Sequence, residues 1–183
     1  MDIKKYADDL RTILNHIDFD KVNKVVDVLQ EAHKNGNRVY VMGNGGSATT
    51  ASHIAGDLNK TCGLKSMALT DSNYLITAWA NDVAYVNIFR SQLENLIQPK
   101  DVVIGISGSG RSANVVYALV LARDMGCKTI GLTGSYLESN GGQVVKTAGI
   151  SIVVPSGVME QIEDIHLMIG HILVTELKNR SKT

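Results

Sequence analysis

This sequence lacks the features that identify several classes of protein. Its 183 residues include only two cysteines and two prolines, and its 18 basic side chains are balanced by 18 acidic ones. Zero formal net charge gives no electrostatic reason to expect binding to nucleic acid or to an anionic membrane surface. No apolar run approaches the ~18 residues that a membrane-spanning helix needs. We therefore expect neither nucleic acid nor a membrane as a partner.

The cysteines and the first residues favour a cytoplasmic protein. Cys62 and Cys127 are isolated and lack CxxC spacing, so reduced thiols are expected. The first ten residues, MDIKKYADDL, are charged and amphipathic, unlike a secretory signal. No low-complexity segment or linker divides the chain. We therefore expect a single domain over 1–183, with N-terminal helices in 1–36 and an α/β core in 37–183.

Apolar periodicity predicts helices that alternate with short strands. Two helical stripes, over 3–17 and 22–32, come first, and the leading helix could pack on another subunit or on its own domain. Five apolar runs then predict strands over 39–42, 66–69, 102–106, 128–132 and 150–154. Helices are expected over 71–80, 83–96, 113–125, 143–148 and 159–178. This alternation predicts a doubly wound parallel sheet with flanking helices, which binds its ligand at the carboxyl ends of the strands.

Two glycine-rich turns each follow a predicted strand and precede a predicted helix. They are Gly43-Asn44-Gly45-Gly46-Ser47 and Ser107-Gly108-Ser109-Gly110-Arg111-Ser112. Glycine lets the backbone approach a ligand closely, and the free N–H groups of a helix N-terminus attract anions. Ser47 has the position of an N-cap, and its hydroxyl could cap the helix or bind a phosphate oxygen. The hydroxyls of the second turn suit one phosphomonoester, although serine is also common in ordinary turns.

Two predicted helices each carry a carboxylate and an imidazole on one face. His53 and Asp57 are four residues apart, and Glu163 and His171 are eight apart on the last helix. These groups could bind zinc or a similar metal, or act without a metal as a general acid and base. Either pair alone would more often be a surface contact, but their occurrence with two anion turns favours a site. His166 lies off the Glu163–His171 stripe and is expected to be a packing or interface residue.

The motifs resemble those of the sugar isomerase (SIS) domain family. GNGGS with the following histidine, SGSGRSANV and the closing EDIHLMIGHIL are similar to this family over nearly the whole chain, and within it to the phosphoheptose isomerase group. The resemblance implies a flavodoxin-like five-stranded sheet and a homotetramer with active sites at subunit interfaces. It also implies conversion of sedoheptulose 7-phosphate to D-glycero-D-manno-heptose 7-phosphate, which we expect to proceed through a cis-enediol.

The resemblance also assigns roles to individual residues. Asp57 would be the catalytic base and His171 the acid. A zinc ion would be bound by the four groups His53, Asp57, Glu163 and His171. The phosphosugar would be bound by residues of the two turns and by one further acidic residue: Asn44, Gly45, Gly46, Ser47, Asp82, Ser107, Gly108, Ser109 and Ser112.

The chain departs from the family pattern around the sugar. Asp57 and Glu163 stand where the family usually has glutamate and glutamine. Gly108 replaces a threonine of the phosphate turn, and Thr61 replaces an arginine. Because most of the phosphate turn is retained, a phosphosugar remains the expected substrate, while the particular sugar is left open.

Two other functions are compatible with this sequence. A non-catalytic member of the family could bind a phosphosugar or a protein partner such as the bacterial replication initiator. The joint presence of His53, Asp57 and His171 favours an enzyme instead. A nucleotide-binding domain is less favoured, because neither turn has the GxGxxG or GxxxxGK[ST] pattern.

Overall fold

The computed structural model describes residues 3–181 and contains a five-stranded parallel sheet. The strands are β1 (Arg38–Gly43), β2 (Lys65–Ala68), β3 (Val102–Ser107), β4 (Lys128–Gly134) and β5 (Ile150–Val154). Their order in the sheet is β2-β1-β3-β4-β5, and all neighbours are parallel. This order confirms the predicted doubly wound, flavodoxin-like sheet, whose direction of winding reverses between β1 and β3.

Eight α-helices flank this sheet or precede it in the described chain. They are α1 (Ile3–Leu14), α2 (Phe19–Asn35), α3 (Gly46–Cys62), α4 (Asn73–Asp82), α5 (Arg90–Glu94), α6 (Ala113–Asp124), α7 (Gly142–Thr147) and α8 (Met159–Arg180). Two 3-10 turns cover Tyr85–Asn87 and Tyr136–Glu138. None of the helices within 3–181 is long and apolar enough to cross a membrane.

The sheet separates two apolar layers. Because alternate side chains of a strand point to opposite faces, Val39 and Val41 of β1 pack in one layer and Tyr40 and Met42 in the other. The first layer also contains buried residues of α2, α3 and α8, and the second contains those of α5 and α6. Helices α3 and α8, which carry the predicted chemical groups, therefore share one face of the sheet.

The predicted helix over 83–96 is wrong in its first half. Val83 and Ala84 leave helical geometry, with φ of −123° and −174°. The chain then forms only the 3-10 turn at 85–87 and the short α5. Because of this break, the side chains of Ile88, Phe89 and Leu93 point into the second apolar layer, where all three are buried. Apolar periodicity predicted one continuous helix because it registers the apolar residues of this segment but not the backbone break that buries them.

The leading helix α1 packs on the start of α8 in the same chain. Tyr6 donates a hydrogen bond of 2.7 Å from its hydroxyl to Oδ2 of Asp164. Burial, and then this bond, raise the pKa of Tyr6 to about 12. Ile13 is buried in the first apolar layer. Helix α1 thus contacts its own domain beside Glu163 through these residues.

Candidate active site

The first glycine turn joins β1 to α3 at the carboxyl edge of the sheet. The prediction that Ser47 is the N-cap is wrong, because Gly45 occupies that position with a φ of 56° that favours glycine. Ser47 is instead the second residue of α3, and it is buried. No side chain caps α3 at its start. Its first N–H groups are therefore available to an anion, as the sequence predicted.

The second turn joins β3 to α6 at the same edge. Ser107 and Ser112 lie with their Oγ atoms 2.9 Å apart, and the backbone N–H of Gly110 donates to the Ser107 carbonyl at 2.9 Å. Ser112 occupies the N-cap position of α6, but its hydroxyl caps no backbone N–H of the helix. The backbone N–H of Arg111 donates to Ser109 Oγ at 3.2 Å. The turn thus presents clustered hydroxyls beside a helix N-terminus.

The two turns line one crevice of about 240 Å³. Its wall includes eight of the nine residues predicted to bind the phosphosugar: Asn44, Gly45, Gly46, Ser47, Ser107, Gly108, Ser109 and Ser112. Ile106 of β3 and Met159 and Glu163 of α8 also line it. Asp82 does not line this crevice. It lies exposed at the end of α4 and accepts a 2.8 Å hydrogen bond from Asn81.

Two polar residues at the crevice were not predicted from the sequence. Asn114 forms two hydrogen bonds of 2.9 Å with Asn44, and the hydroxyl of Tyr85 donates to Asn44 Oδ1 at 2.9 Å. Asn114 is buried near the start of α6. In the sequence, Asn114 is marked only by its position two residues after Ser112, the last residue of the second glycine-rich turn. Tyr85 follows the unexpected break after α4, so no local pattern brings it to the site.

A second group of side chains lies where α3 meets α8. The Nε2 atoms of His53 and His171 are 3.2 Å apart, and His53 Nε2 lies 3.4 Å from Oδ2 of Asp57. The two rings meet edge to face, with centroids 4.9 Å apart. One potential ligand atom from each of the three residues lies within 4.8 Å of the others.

This group fits a divalent metal by its chemistry and spacing. Zinc takes imidazole nitrogen and carboxylate oxygen at about 2.0–2.2 Å, so neighbouring ligands of a tetrahedral ion lie roughly 3.3 Å apart. The two separations at His53, 3.2 and 3.4 Å, are close to that value. Glu163 is not a member of the group. The eight residues between Glu163 and His171 span about 12 Å of helix, so their side chains begin far apart.

Glu163 lies instead against the first glycine turn. A Cβ atom at Gly46 would overlap the Glu163 carboxylate, so glycine at that position makes the close approach possible. Burial raises the pKa of Glu163, and the negative charges of Glu160 and Asp164 raise it further. An acidic side chain thus faces the crevice that is formed by the two glycine-rich turns predicted to bind phosphate.

His166 is a packing residue, as the sequence predicted. It is completely buried, and its Nε2 atom lies 3.1 Å from the carbonyl oxygen of Thr133, to which it donates. Its Nδ1 atom has no hydrogen-bond partner among the described residues. Burial lowers the pKa of His166 to about 4, so the ring is neutral at physiological pH. His166 therefore supports the carboxyl end of β4 rather than the chemistry.

Known proteins resemble this chain along most of its length. A family model described as SIS domain matches residues 5–134. A phosphoheptose isomerase from Geotalea daltonii is 41% identical over 87% of this chain and 84% of its own, and one from Aliarcobacter butzleri is 38% identical over 97% and 95%. A solved phosphoheptose isomerase structure from Francisella tularensis superposes with a TM-score of 0.86 at 28% identity, over 96% of this chain and 94% of its own. The chain belongs to the SIS domain family and, within it, to the phosphoheptose isomerases.

Proposed function

We propose that this enzyme is an aldose–ketose isomerase that converts sedoheptulose 7-phosphate to D-glycero-D-manno-heptose 7-phosphate. The observation that carries the proposal is that α3 and α8 each contribute both to the anion crevice and to the His53–Asp57–His171 group. One substrate can therefore have its phosphate in the crevice while its other end meets an acid and a base. The family of the chain supports this reaction, and the relatives described above are phosphoheptose isomerases.

In this proposal Asp57 removes a proton from the carbon beside the carbonyl group. His171 donates a proton to the carbonyl oxygen as it gains negative charge, and the substrate becomes a cis-enediol. Asp57 then returns its proton to the neighbouring carbon while the other enediol hydroxyl gives its proton back to His171, which forms the new carbonyl group. The phosphate contacts supply binding energy away from the reacting carbons and so hold those carbons in place. Asp57 has one methylene fewer than glutamate, so the substrate must lie closer to α3.

We further propose that the acid and base lie on a zinc site. The residues that would hold the ion are His53, Asp57 and His171, and a bound divalent ion would stabilise negative charge on a substrate oxygen. Glu163 as a fourth ligand stays a prediction, since its carboxylate lies against Gly46. The alternative is that the same three groups act as an acid–base cluster without a metal.

We also propose a homotetramer with active sites at subunit interfaces. Helix α4 supports this, because none of its residues is buried and apolar side chains on it and just after it are exposed. Tyr74 is 78% exposed and Val83 is 54% exposed. Asp82, predicted to bind the sugar, lies between them in the sequence and would belong to an interface formed by this surface. Sedimentation velocity would test the assembly. The cytoplasmic location expected from the sequence stays a prediction.

The first test is turnover of sedoheptulose 7-phosphate by metal-stripped and by zinc-restored protein, with the product followed by NMR. We expect zinc-dependent formation of the manno-heptose 7-phosphate. Asp57→Asn should lower kcat by about 1,000-fold while the dissociation constant of the phosphosugar changes less than about fivefold. Asp124→Asn is the matched control, since Asp124 is exposed and pairs with Arg123 away from the site.

The outcomes separate the alternatives. Equal turnover without zinc would retain the isomerase and remove the metal. Absence of turnover with the phosphosugar still bound would contradict the proposed reaction and favour a non-catalytic member of the family. Thermal stabilisation by nucleotides but not by phosphosugars would contradict a phosphosugar site altogether.

A further inference from the structure

The two anion turns are joined by a pair of side-chain amides. Asn44, in the first turn, donates from Nδ2 to Oδ1 of Asn114 at 2.9 Å, and Asn114 Nδ2 donates back to Asn44 Oδ1 at 2.9 Å. Asn114 lies at the start of α6, directly after the second turn, and is only 3% exposed. This reciprocal pair therefore fixes the first turn against the helix that follows the second.

The backbone determines which way the amides face. The N–H of Val115 donates to Asn114 Oδ1 at 3.0 Å and also to the carbonyl of Ser112 at 3.1 Å. An N–H group cannot face an NH₂ group, so the oxygen of Asn114 must lie on the Val115 side. The pairing then requires that Asn44 present Nδ2 to that oxygen and Oδ1 to Asn114 Nδ2.

Tyr85 completes the set of bonds at Asn44. Its hydroxyl donates to Asn44 Oδ1 at 2.9 Å, so that oxygen now accepts two hydrogen bonds and both its lone pairs are occupied. Of the two Nδ2 protons of Asn44, one is used by Asn114. The remaining polar capacity of this side chain is a single N–H, on a residue that lines the crevice.

We infer that Asn44 is locked as a hydrogen-bond donor to a sugar oxygen of the substrate, and that Asn114 and Tyr85 are its positioning residues. The chemical group that this donor suits is a sugar hydroxyl oxygen close to the phosphate, because Asn44 lines the crevice in which the phosphate is proposed to bind. A locked amide holds that oxygen without reorienting and so helps to position the reacting carbons at the His53–Asp57–His171 group. The inference rests on the proposed function for the identity of the sugar but not for the lock itself.

A double-mutant cycle tests whether Asn114 acts through Asn44. Because the reacting carbons would be misplaced, we expect Asn44→Ala to lower kcat by about 100-fold and Asn114→Ala by about tenfold, with KM changed less than about threefold. If Asn114 acts only by holding Asn44, the double variant loses no more than Asn44→Ala alone. Losses that multiply to about 1,000-fold would overturn the inference, because Asn114 would then act independently.

Two milder variants cover the case in which Asn114→Ala does not fold. Asn114→Asp keeps the acceptor for Val115 but, when ionised, cannot donate to Asn44, and it should lower kcat by about tenfold, with some loss of thermal stability because a carboxylate replaces a buried amide. Tyr85→Phe frees one lone pair of Asn44 and should lower kcat by about threefold. The control is Asn95→Asp, because Asn95 is exposed at the end of α5 and its side chain, among residues 3–181, bonds the Ser91 carbonyl and no side chain. Wild-type kcat in both positioning variants would contradict the lock.

The lock can also be measured without turnover. In ¹⁵N NMR spectra, the Asn44 side-chain amide is identified by its absence in Asn44→Ala. One of its two protons should be protected from exchange by Asn114, while the other exchanges freely and shifts when sedoheptulose 7-phosphate is added. Equal exchange of both protons would overturn the inference. A protein with unequal exchange but no isomerase activity would retain the lock and lose only the proposed function.

Discussion

The Nε2 atoms of His53 and His171 lie 3.2 Å apart, although 118 residues separate them in the chain. They meet because α3 and α8 pack closely at the neighbouring positions Ile54 and Gly170. A Cβ atom at Gly170 would lie 2.6 Å from Cγ1 of Ile54, too close for a normal contact. The absence of a side chain at Gly170 thus sets the distance between the two imidazoles.

Gly170→Ala should therefore separate His53 from His171. The added methyl group must displace Ile54 or the helix, at a cost of about 1–3 kcal/mol in the free energy of unfolding. We expect zinc affinity, measured by competition with a chromogenic chelator, to fall at least tenfold. The matched control is Gly56→Ala on α3, where a Cβ atom meets nothing within 4 Å. That variant should be stabilised by about 0.5–1 kcal/mol and bind zinc normally, whereas equal zinc affinity in both variants would contradict the role of Gly170.

Loss of one imidazole should remove most of the metal binding. His171→Gln leaves only His53 and Asp57 of the three potential ligands, and we expect bound zinc, measured by mass spectrometry after dialysis, to fall from about one ion per chain to below about 0.2. His33→Gln on α2 is the control, because His33 is exposed and lies outside the group. Retention of zinc by His171→Gln would exclude this cluster as the binding site.

Glu163 should weaken phosphate binding whenever it is ionised. Its carboxylate faces the crevice, so a phosphate dianion there is repelled. Since burial raises the pKa of Glu163, the repulsion is lost as pH falls through that raised pKa. We expect Glu163→Gln to bind sulfate, which stays a dianion over this pH range, about tenfold more tightly at pH 8, with a smaller gain at pH 5, by calorimetry. Glu160→Gln, an exposed neighbour, should change affinity less than about twofold, and a pH-independent gain in Glu163→Gln would contradict the titration.

His166 should make the folded state sensitive to acid. Its pKa is about 4 in the folded protein and about 6.5 when unfolded, so the unfolded chain binds the proton more readily. Stability from the neutral ring is complete above about pH 6.5 and is lost as pH falls toward 4, by about 3 kcal/mol. Urea unfolding of wild type and His166→Gln between pH 4 and 8 measures this difference. The variant should be less stable at pH 7 but should lose less on acidification, and parallel curves would refute the assignment.

Much of the fold was predictable because its signals are local. All five strands and both glycine turns were located from apolar runs and glycine spacing, within one or two residues. The alternation of strands and helices predicted a doubly wound parallel sheet, and the family resemblance implied its flavodoxin-like form, which the structure has. The predicted helix over 83–96 was wrong because apolar periodicity describes only local spacing. It cannot detect that the chain breaks at Val83 and Ala84 so that Phe89 is buried.

The candidate site was predictable only in part. The sequence identified the residues of both turns and the His53–Asp57 pair, because each lies within a few positions on one element. It did not identify Asn114 and Tyr85, which reach Asn44 from positions 70 and 41 residues away. It grouped Glu163 with the imidazoles, whereas the structure has its carboxylate against Gly46.

The sequence by itself determined most of the elements, the parallel direction of the strands and the edge of the sheet at which both glycine turns lie, since these depend on residue type and spacing along the chain. Only the tertiary structure decided which groups meet. The separation of His53 from His171 depends on how closely two helices pack, and Gly170 permits that approach. The orientation of Asn44 depends on Asn114, a residue of another element whose side-chain oxygen is fixed by a hydrogen bond from the backbone of Val115. Such distances and orientations arise from packing in three dimensions, which local spacing does not encode.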